Sequence, residues 1–196
     1  STTREILTPG RGILAADEST GTIEKRFKSI NVPNTEENRR AYRELLFSTP
    51  RVDEYVSGVI LYDETIRQKA SDGTPFPRLL ESRGILPGIK ADKGTKALAL
   101  APEEKITEGL DGLRERLAEY RGLGARFAKW RAVIEIGDEM PSDHCIDTNA
   151  HALARYAALD ELKTTITHAY VPEVDPQYTE SHIHSALSTL RERIFR

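Results

Sequence analysis

The chain has 196 residues, a net charge of -3, 30% charged residues and 38% in the hydrophobic set. Those values describe a globular chain with a solvated exterior, able to bury roughly 70% of its unfolded surface. They exclude a general attraction for nucleic acid or anionic membranes.

A single cysteine, Cys145, excludes an intramolecular disulfide and fits a reducing cytosol. No apolar run approaches the ~20 residues of a bilayer span, and Ser1-Thr-Thr-Arg-Glu5 is not a signal peptide. A cytoplasmic, soluble chain folded as one domain over residues 1–196 is the expectation.

The first element, Gly12-Ile-Leu-Ala-Ala16, predicts a short buried strand. It runs directly into Asp17, Glu18, Ser19 and Thr20, where an ordinary core strand would turn. A charge at the mouth of a buried strand is costly unless something there uses it. Parallel strands deliver catalytic carboxylates to the carboxyl end of a sheet or barrel in this way. Next, Asn34-Thr-Glu-Glu37 reads as a capping box opening a helix toward Phe47.

Val56–Tyr62 and Ile85–Ala91 predict two further strands, ending at Asp63 and at Lys90-Ala-Asp92-Lys93. Leu110, Leu113, Leu117 and Tyr120 mark one helical stripe, stopped at Gly122 or Gly124. Phe127–Ile136 predicts a fourth strand. Pro141-Ser142 opens a helix with Ile146, Ala150, Leu153 and Ala157 inward. Tyr170–Asp175 is a fifth strand, and a last helix runs roughly from Thr179 to Ile194.

Strands alternating with helices predict a parallel sheet of about five βα units. A closed eightfold barrel typically takes ~250 residues, so pattern alone favours an open doubly wound sheet.

Chemistry concentrates at the strand ends. In Phe127–Ile136, period two puts Ala128, Trp130, Ala132, Ile134 and Ile136 on one face and Lys129, Arg131 and Glu135 on the other. One reading is a solvated charged face. The other aims Lys129 and Arg131 at an anionic ligand, the guanidinium as a rigid fork for phosphate and the ammonium as a compact charge. Asp17, Asp63, Lys90 and the Lys129/Arg131 pair fall at or near the ends of successive strands, and parallel folds bind ligands at those ends. More cations than carboxylates suit a phosphorylated substrate, with the carboxylates handling protons.

Gly10-Arg-Gly12-Ile-Leu-Ala15 matches the letters of a dinucleotide fingerprint, but a strand follows it where a helix is needed. His182 and His184 read as surface histidines. Asp138-Glu139 and Glu103-Glu104-Lys105 read as solvated charges.

Seven segments resemble class I fructose-bisphosphate aldolases, in that family's order and spacing: Gly12–Gly21, Asn34–Arg40, Ser57–Thr65, Gly88–Gly94, Gly109–Leu113, Phe127–Arg131 and Leu153–Ala157. The similarity is continuous from about residue 6 to residue 158 and divergent over 159–196. It implies an α/β fold of the (βα)8 TIM-barrel family, truncated to about five βα units, in place of the doubly wound sheet.

By position, Asp17 resembles the family's active-site aspartate, which positions substrate and helps proton transfer. Lys129 matches a lysine near the reacting carbon and hydroxyl, Lys90 a lysine contacting phosphate and hydroxyl, and Arg131 an active-site arginine. Ser19, Thr22 and Arg26 match positions near a substrate phosphate. Arg39 falls in an Asn-Arg-Arg element of the family. Asp175, in Val171-Pro-Glu-Val-Asp-Pro176, stands where a proton-transferring glutamate is expected and is one methylene shorter.

The resemblance implies glycolytic cleavage of fructose 1,6-bisphosphate through a Schiff base, with no cofactor and no metal. The imine-forming lysine belongs to a Leu-Leu-Lys-Pro-Asn element absent from these residues. The chain alone is therefore expected to be inactive or weak, because the imine is the electron sink for carbon–carbon cleavage. The alternative is a non-catalytic truncated paralogue that binds sugar phosphate or docks on full-length aldolase subunits. Expected partners are a phosphorylated sugar and either further copies of the chain or full-length aldolase subunits. Nucleic acid and membrane are not expected. Strand edges left unpaired would promote such association.

Overall fold

The structure, a computed structural model, describes residues 2–159, 165–170, 188–189 and 192–193. The elements begin with α1 (Thr2–Ile6), β1 (Gly12–Ala16), α2 (Thr20–Ser29), α3 (Glu36–Ser48), α4 (Val52–Tyr55) and β2 (Val56–Leu61). There follow α5 (Asp63–Arg67), α6 (Phe76–Ser82), β3 (Leu86–Lys90), β4 (Thr95–Leu98) and β5 (Ala101–Thr107). The last are α7 (Leu113–Gly122), β6 (Phe127–Val133), α8 (Asp143–Leu159) and β7 (Thr165–Tyr170). By contacts the chain divides into two compact units. The first holds the described residues within Ser1–Lys90 and Leu117–Ala128, the second those within Ala91–Arg116, Lys129–Glu161 and Thr165–Arg196.

The main sheet has the order β1-β2-β3-β6-β7, and β4-β5 form a separate antiparallel pair. Each strand of the main sheet is added beside the last. A doubly wound sheet reverses direction at a switch point, whereas a barrel winds one way throughout. The order is therefore that of a barrel segment, and the open doubly wound sheet favoured by pattern is not formed.

In the first unit β1, β2 and β3 are parallel, with Ala16 opposite Leu61 and Ile60 opposite Gly88. Val56–Leu61 is buried from its second residue onward, as a central parallel strand must be. β1 corrects the expectation of a buried strand: only Ala16 is buried, while Ile13 and Ala15 are exposed. Among the described residues it lies beside β2 alone, which leaves its other side uncovered.

Two glycines decide the packing beneath β2 and β3. A Cβ on Gly88 would lie 2.2 Å from Cζ of Phe127, and one on Gly58 3.1 Å from Cε1. The buried Phe127 ring thus occupies the space two side chains would need. The helices pack by aromatic edges, Phe27 against Tyr42 at 5.9 Å and Phe47 against Phe76 at 5.2 Å between centroids.

Helix α3 begins one residue later than its sequence signal. Thr35 is the N-cap, accepting the Asn38 N–H at 3.1 Å, and Glu37 pairs with Arg40 instead of closing a capping box from Asn34. At its other end, Arg83 Nη1 donates to the carbonyls of Phe47 and Thr49 at 2.8 and 3.0 Å. Glu44 accepts from Arg40, from the Ser71 N–H (2.8 Å) and from the Ser71 hydroxyl (2.7 Å), tying the turn after α5 to α3. Those bonds, Arg40 first, hold the Glu44 carboxyl down at about 2.

In the second unit Trp130 of β6 stacks on Tyr156 of α8, with centroids 5.0 Å apart. Leu113, like Leu117 and Tyr120 in the first unit, is buried as the stripe predicts. On α8 the inward set is Cys145, Ile146, Asn149, Ala150, Ala152, Leu153 and Tyr156, and Ala157 is exposed, against expectation. Its position is one past the stripe that ends at Tyr156.

β7 ends at Tyr170, where the fifth strand was expected to begin. Residues 171–175 and most of the expected Thr179–Ile194 helix lie outside the described residues, as do His182 and His184. Among the described residues no helix is long and apolar enough to cross a membrane.

The Phe127 seat predicts that Gly88→Ala destabilises the chain by about 1–3 kcal/mol through overpacking. Adding Phe127→Leu should recover part of that loss. Urea midpoints check it, and an unchanged G88A midpoint would sink the packing argument. For Glu44 the folded pKa is depressed, so its contribution is complete above about 4.5 and vanishes as pH falls to about 2. Glu44→Gln should lower stability at pH 7 but differ little from the parent near pH 2.

Candidate active site

The first unit carries Asp17 at the end of β1, buried with 8% exposure. Glu18 beside it meets Arg26 of α2 and Arg43 of α3. Ser19 is the N-cap of α2, and its hydroxyl lies 3.1 Å from that of Thr22. Arg26 also donates to the Tyr42 hydroxyl at 3.1 Å. Partial burial works against its charge, yet Glu18 and Tyr42 outweigh it and raise its pKa.

Arg39 lies apart from this group. Its Nε and Nη2 reach the Glu64 carboxylate at 2.8 and 2.6 Å, and Nη1 reaches both oxygens of Asn34 at 3.0 Å. The Glu64 hydrogen bonds raise its pKa. Such a two-pronged pair clamps the start of α3 to α5.

Lys90 ends β3, half-buried, two strands from Asp17. Asp63 opens α5 and accepts from the Tyr120 hydroxyl (2.9 Å) and from Arg67 (2.9 Å), so it serves the α5–α7 contact.

The second unit carries Lys129 and Arg131, both half-buried, alternating with Ala128 of the first unit and with Trp130 and Ala132, all fully buried. The fully solvated face is thereby excluded. Two side chains set their backbone, Asp92 from the charged end of β3 and Thr107, which the sequence did not point to. Asp92, buried, accepts the Arg131 N–H at 3.3 Å and the Gly94 N–H at 3.1 Å. The Thr107 hydroxyl donates to the Arg131 carbonyl at 2.6 Å.

Nearby, Arg116 of α7 donates to the carbonyls of Ala91 (2.9 Å) and Gly109. Gly109 is needed twice over, since its φ is +125° and a Cβ would meet the Lys93 nitrogen at 2.9 Å.

Glu104 overturns its reading as a solvated charge. It is buried on β5 and accepts both the N–H and the hydroxyl of Ser142, at the start of α8. Cys145 is buried one turn on, and desolvation, then the Glu104 charge, push its thiol up to about 12. Asn149 donates to the Lys105 carbonyl at 2.9 Å, completing the tie between hairpin and helix. Among the described residues no three His, Cys, Asp or Glu side chains are grouped to hold a metal ion.

Sequence reasoning missed Arg43, Arg116, Thr107 and Glu104. For Arg43 a signal existed: it precedes Phe47 by one helical turn, on the stripe that should be apolar. Asp175 lies outside the described residues.

A parallel sheet wound one way, with charged side chains closing its strands, defines a barrel-type α/β protein. The comparisons narrow that class. The family model for class-I fructose-bisphosphate aldolase matches residues 1–187. A probable class 1 fructose-bisphosphate aldolase of Xanthomonas campestris is 59% identical over 176 residues, 90% of this chain and 51% of that protein. Fructose-bisphosphate aldolase 6, cytosolic, of Arabidopsis thaliana is 54% identical over 191 residues, 96% of this chain and 52% of that one.

Among solved structures, fructose-bisphosphate aldolase from Plasmodium falciparum, in complex with TRAP and an inhibitor, superposes with a TM-score of 0.92. It shares 42% identity over 98% of this chain and 58% of its own. The chain belongs to the class I fructose-bisphosphate aldolase family, and it spans about half the length of the curated relatives it matches.

Native-state alkylation should find Cys145 inert at pH 8, since the thiolate is the reactive form. Rapid labelling in buffer, matching that in urea, would contradict its burial.

Proposed function

We propose that this chain forms the substrate-binding part of a fructose 1,6-bisphosphate aldolase. Asp17 is assigned to proton transfer, with Lys129 beside the reacting carbon and Asp175 as a further proton carrier. Lys90 and Arg131 hold phosphate and hydroxyl oxygens. Ser19, Thr22 and Arg26 contribute at a phosphate, and Arg39 supports the site by clamping the start of α3 to α5. Family membership supports the substrate, and half-buried cations on β3 and β6 support the anion. The observation that carries the reading is the alternation of Lys129 and Arg131 with fully buried neighbours. Half-buried cations rooted between core residues present their charge in a fixed direction, which suits an anionic ligand.

Chemically, the family's imine lysine accepts the electron pair released by carbon–carbon cleavage. The residues of this chain position the ketose and move protons around that event. Binding without turnover by these 196 residues alone is the reading proposed, with the imine-forming lysine assigned to none of them. Association with further copies or with full-length aldolase subunits follows the same reading. A cytosolic location is supported by relatives named cytosolic and cytoplasmic.

Calorimetry with fructose 1,6-bisphosphate should give saturable binding. Lys90→Ala and Arg131→Ala should each weaken it by about tenfold or more at unchanged melting temperature, the scale of a lost charge-assisted hydrogen bond. No binding by the parent chain would refute the proposal. Borohydride with dihydroxyacetone phosphate should leave the mass unchanged. A stoichiometric increase localised to Lys129 would instead make this chain a Schiff-base former in its own right.

A further inference from the structure

Arg43 is the most deeply buried charged side chain described, with 2% exposure in the middle of α3. Its Nε donates to the Ala16 carbonyl at 2.9 Å and its Nη2 to the Glu18 carbonyl at 2.9 Å. Nη2 also lies 3.2 Å from the Glu18 carboxylate, and the guanidinium carbon lies 5.3 Å from the centre of the Tyr42 ring.

The two carbonyls flank Asp17. The β1–β2 ladder ends at Ala16 opposite Leu61, so the Glu18 carbonyl lies beyond its reach. One rigid fork therefore grips the chain on both sides of the Asp17 Cα. The fork holds the 16–17 and 18–19 peptide planes, so the short segment Asp17–Glu18 is restrained at both ends. Burial works against the Arg43 charge, while Glu18, Tyr42 and Asp17 support it and Arg26 opposes it.

Stability alone does not call for an arginine there. Burying an ion is commonly no better than burying a well-packed apolar residue of similar size, and Phe47 fills the next turn of the same stripe. What a guanidinium adds is geometry, since its planar donors reach two carbonyls that an ammonium, a single point charge, cannot span equally well.

We propose that Arg43 is a positioning residue, holding the Ala16–Glu18 backbone so that the Asp17 carboxylate is presented in one orientation to a bound sugar phosphate. The proposal rests on the assignment of Asp17 to the substrate site.

Arg43→Lys in the full chain keeps the charge and removes the fork. Hydrogen exchange over residues 14–20 should then accelerate by about tenfold, with β2 and β3 peptides unchanged. Affinity for fructose 1,6-bisphosphate should fall by about tenfold, as in Asp17→Ala, at a melting temperature near the parent's. Parental exchange and affinity in R43K would overturn the proposal, and so would exchange rising uniformly through β1, β2 and β3.

The parent chain supplies a check that needs no variant: by NMR the Arg43 Nε–H should be protected and coupled through its hydrogen bond to the Ala16 carbonyl carbon. Absence of that coupling would also overturn it. If the parent does not bind the sugar phosphate, the functional reading fails, while the exchange contrast and the coupling still decide what Arg43 does.

Discussion

Strands and helices leave backbone carbonyls unbonded where their ladders end, and the structure uses arginines to satisfy them. Arg43 takes the carbonyls of Ala16 and Glu18, Arg83 those of Phe47 and Thr49, and Arg116 those of Ala91 and Gly109. Each joins segments distant in sequence by hydrogen bonds from one planar group. Buried carbonyls without partners would each cost on the order of 1–3 kcal/mol. The Arg43 and Arg116 bonds lie where β1 and β3 hand over to their loops, and in this fold class the loops carry the chemistry.

Beneath those ends, small residues make room for large ones. Gly58 and Gly88 give up their side-chain volume to Phe127, and Ala128 and Ala132 flank Trp130, which stacks on Tyr156. Tight packing of that kind allows little displacement of β3 or β6. Lys90, Lys129 and Arg131 therefore rise from strands whose position is set by aromatic rings. Catalytic and binding groups tolerate misplacement poorly, so a rigid base serves the proposed role.

Much of this was legible in the residue order. The strand starting at Gly12, the Val56 and Phe127 strands and the Leu113–Tyr120 stripe all follow from period and punctuation. Local grammar misled where a distant partner intervened. Glu104 looks solvated in Glu103-Glu104-Lys105, yet Ser142, 38 positions on, supplies the donors that let it be buried. The β4–β5 hairpin escaped notice for the same reason, since Ala101–Thr107 is rich in charge. The α3 cap fell on Thr35 and not on Asn34 because Asn34 accepts from Arg39 instead.

By itself the sequence determined the family, the parallel alternation of strands and helices, and which charged residues close the strands, because these depend on local spacing and on letters in register. Only the tertiary structure decided that β1 has a single buried residue, that strands add in one direction, and that α3 buries Arg43 while leaving Leu45 67% exposed. The last of these depends on which carbonyls lack partners once the sheet is built. No local pattern records that, and it is why an arginine stands where α3 should have placed an apolar side chain.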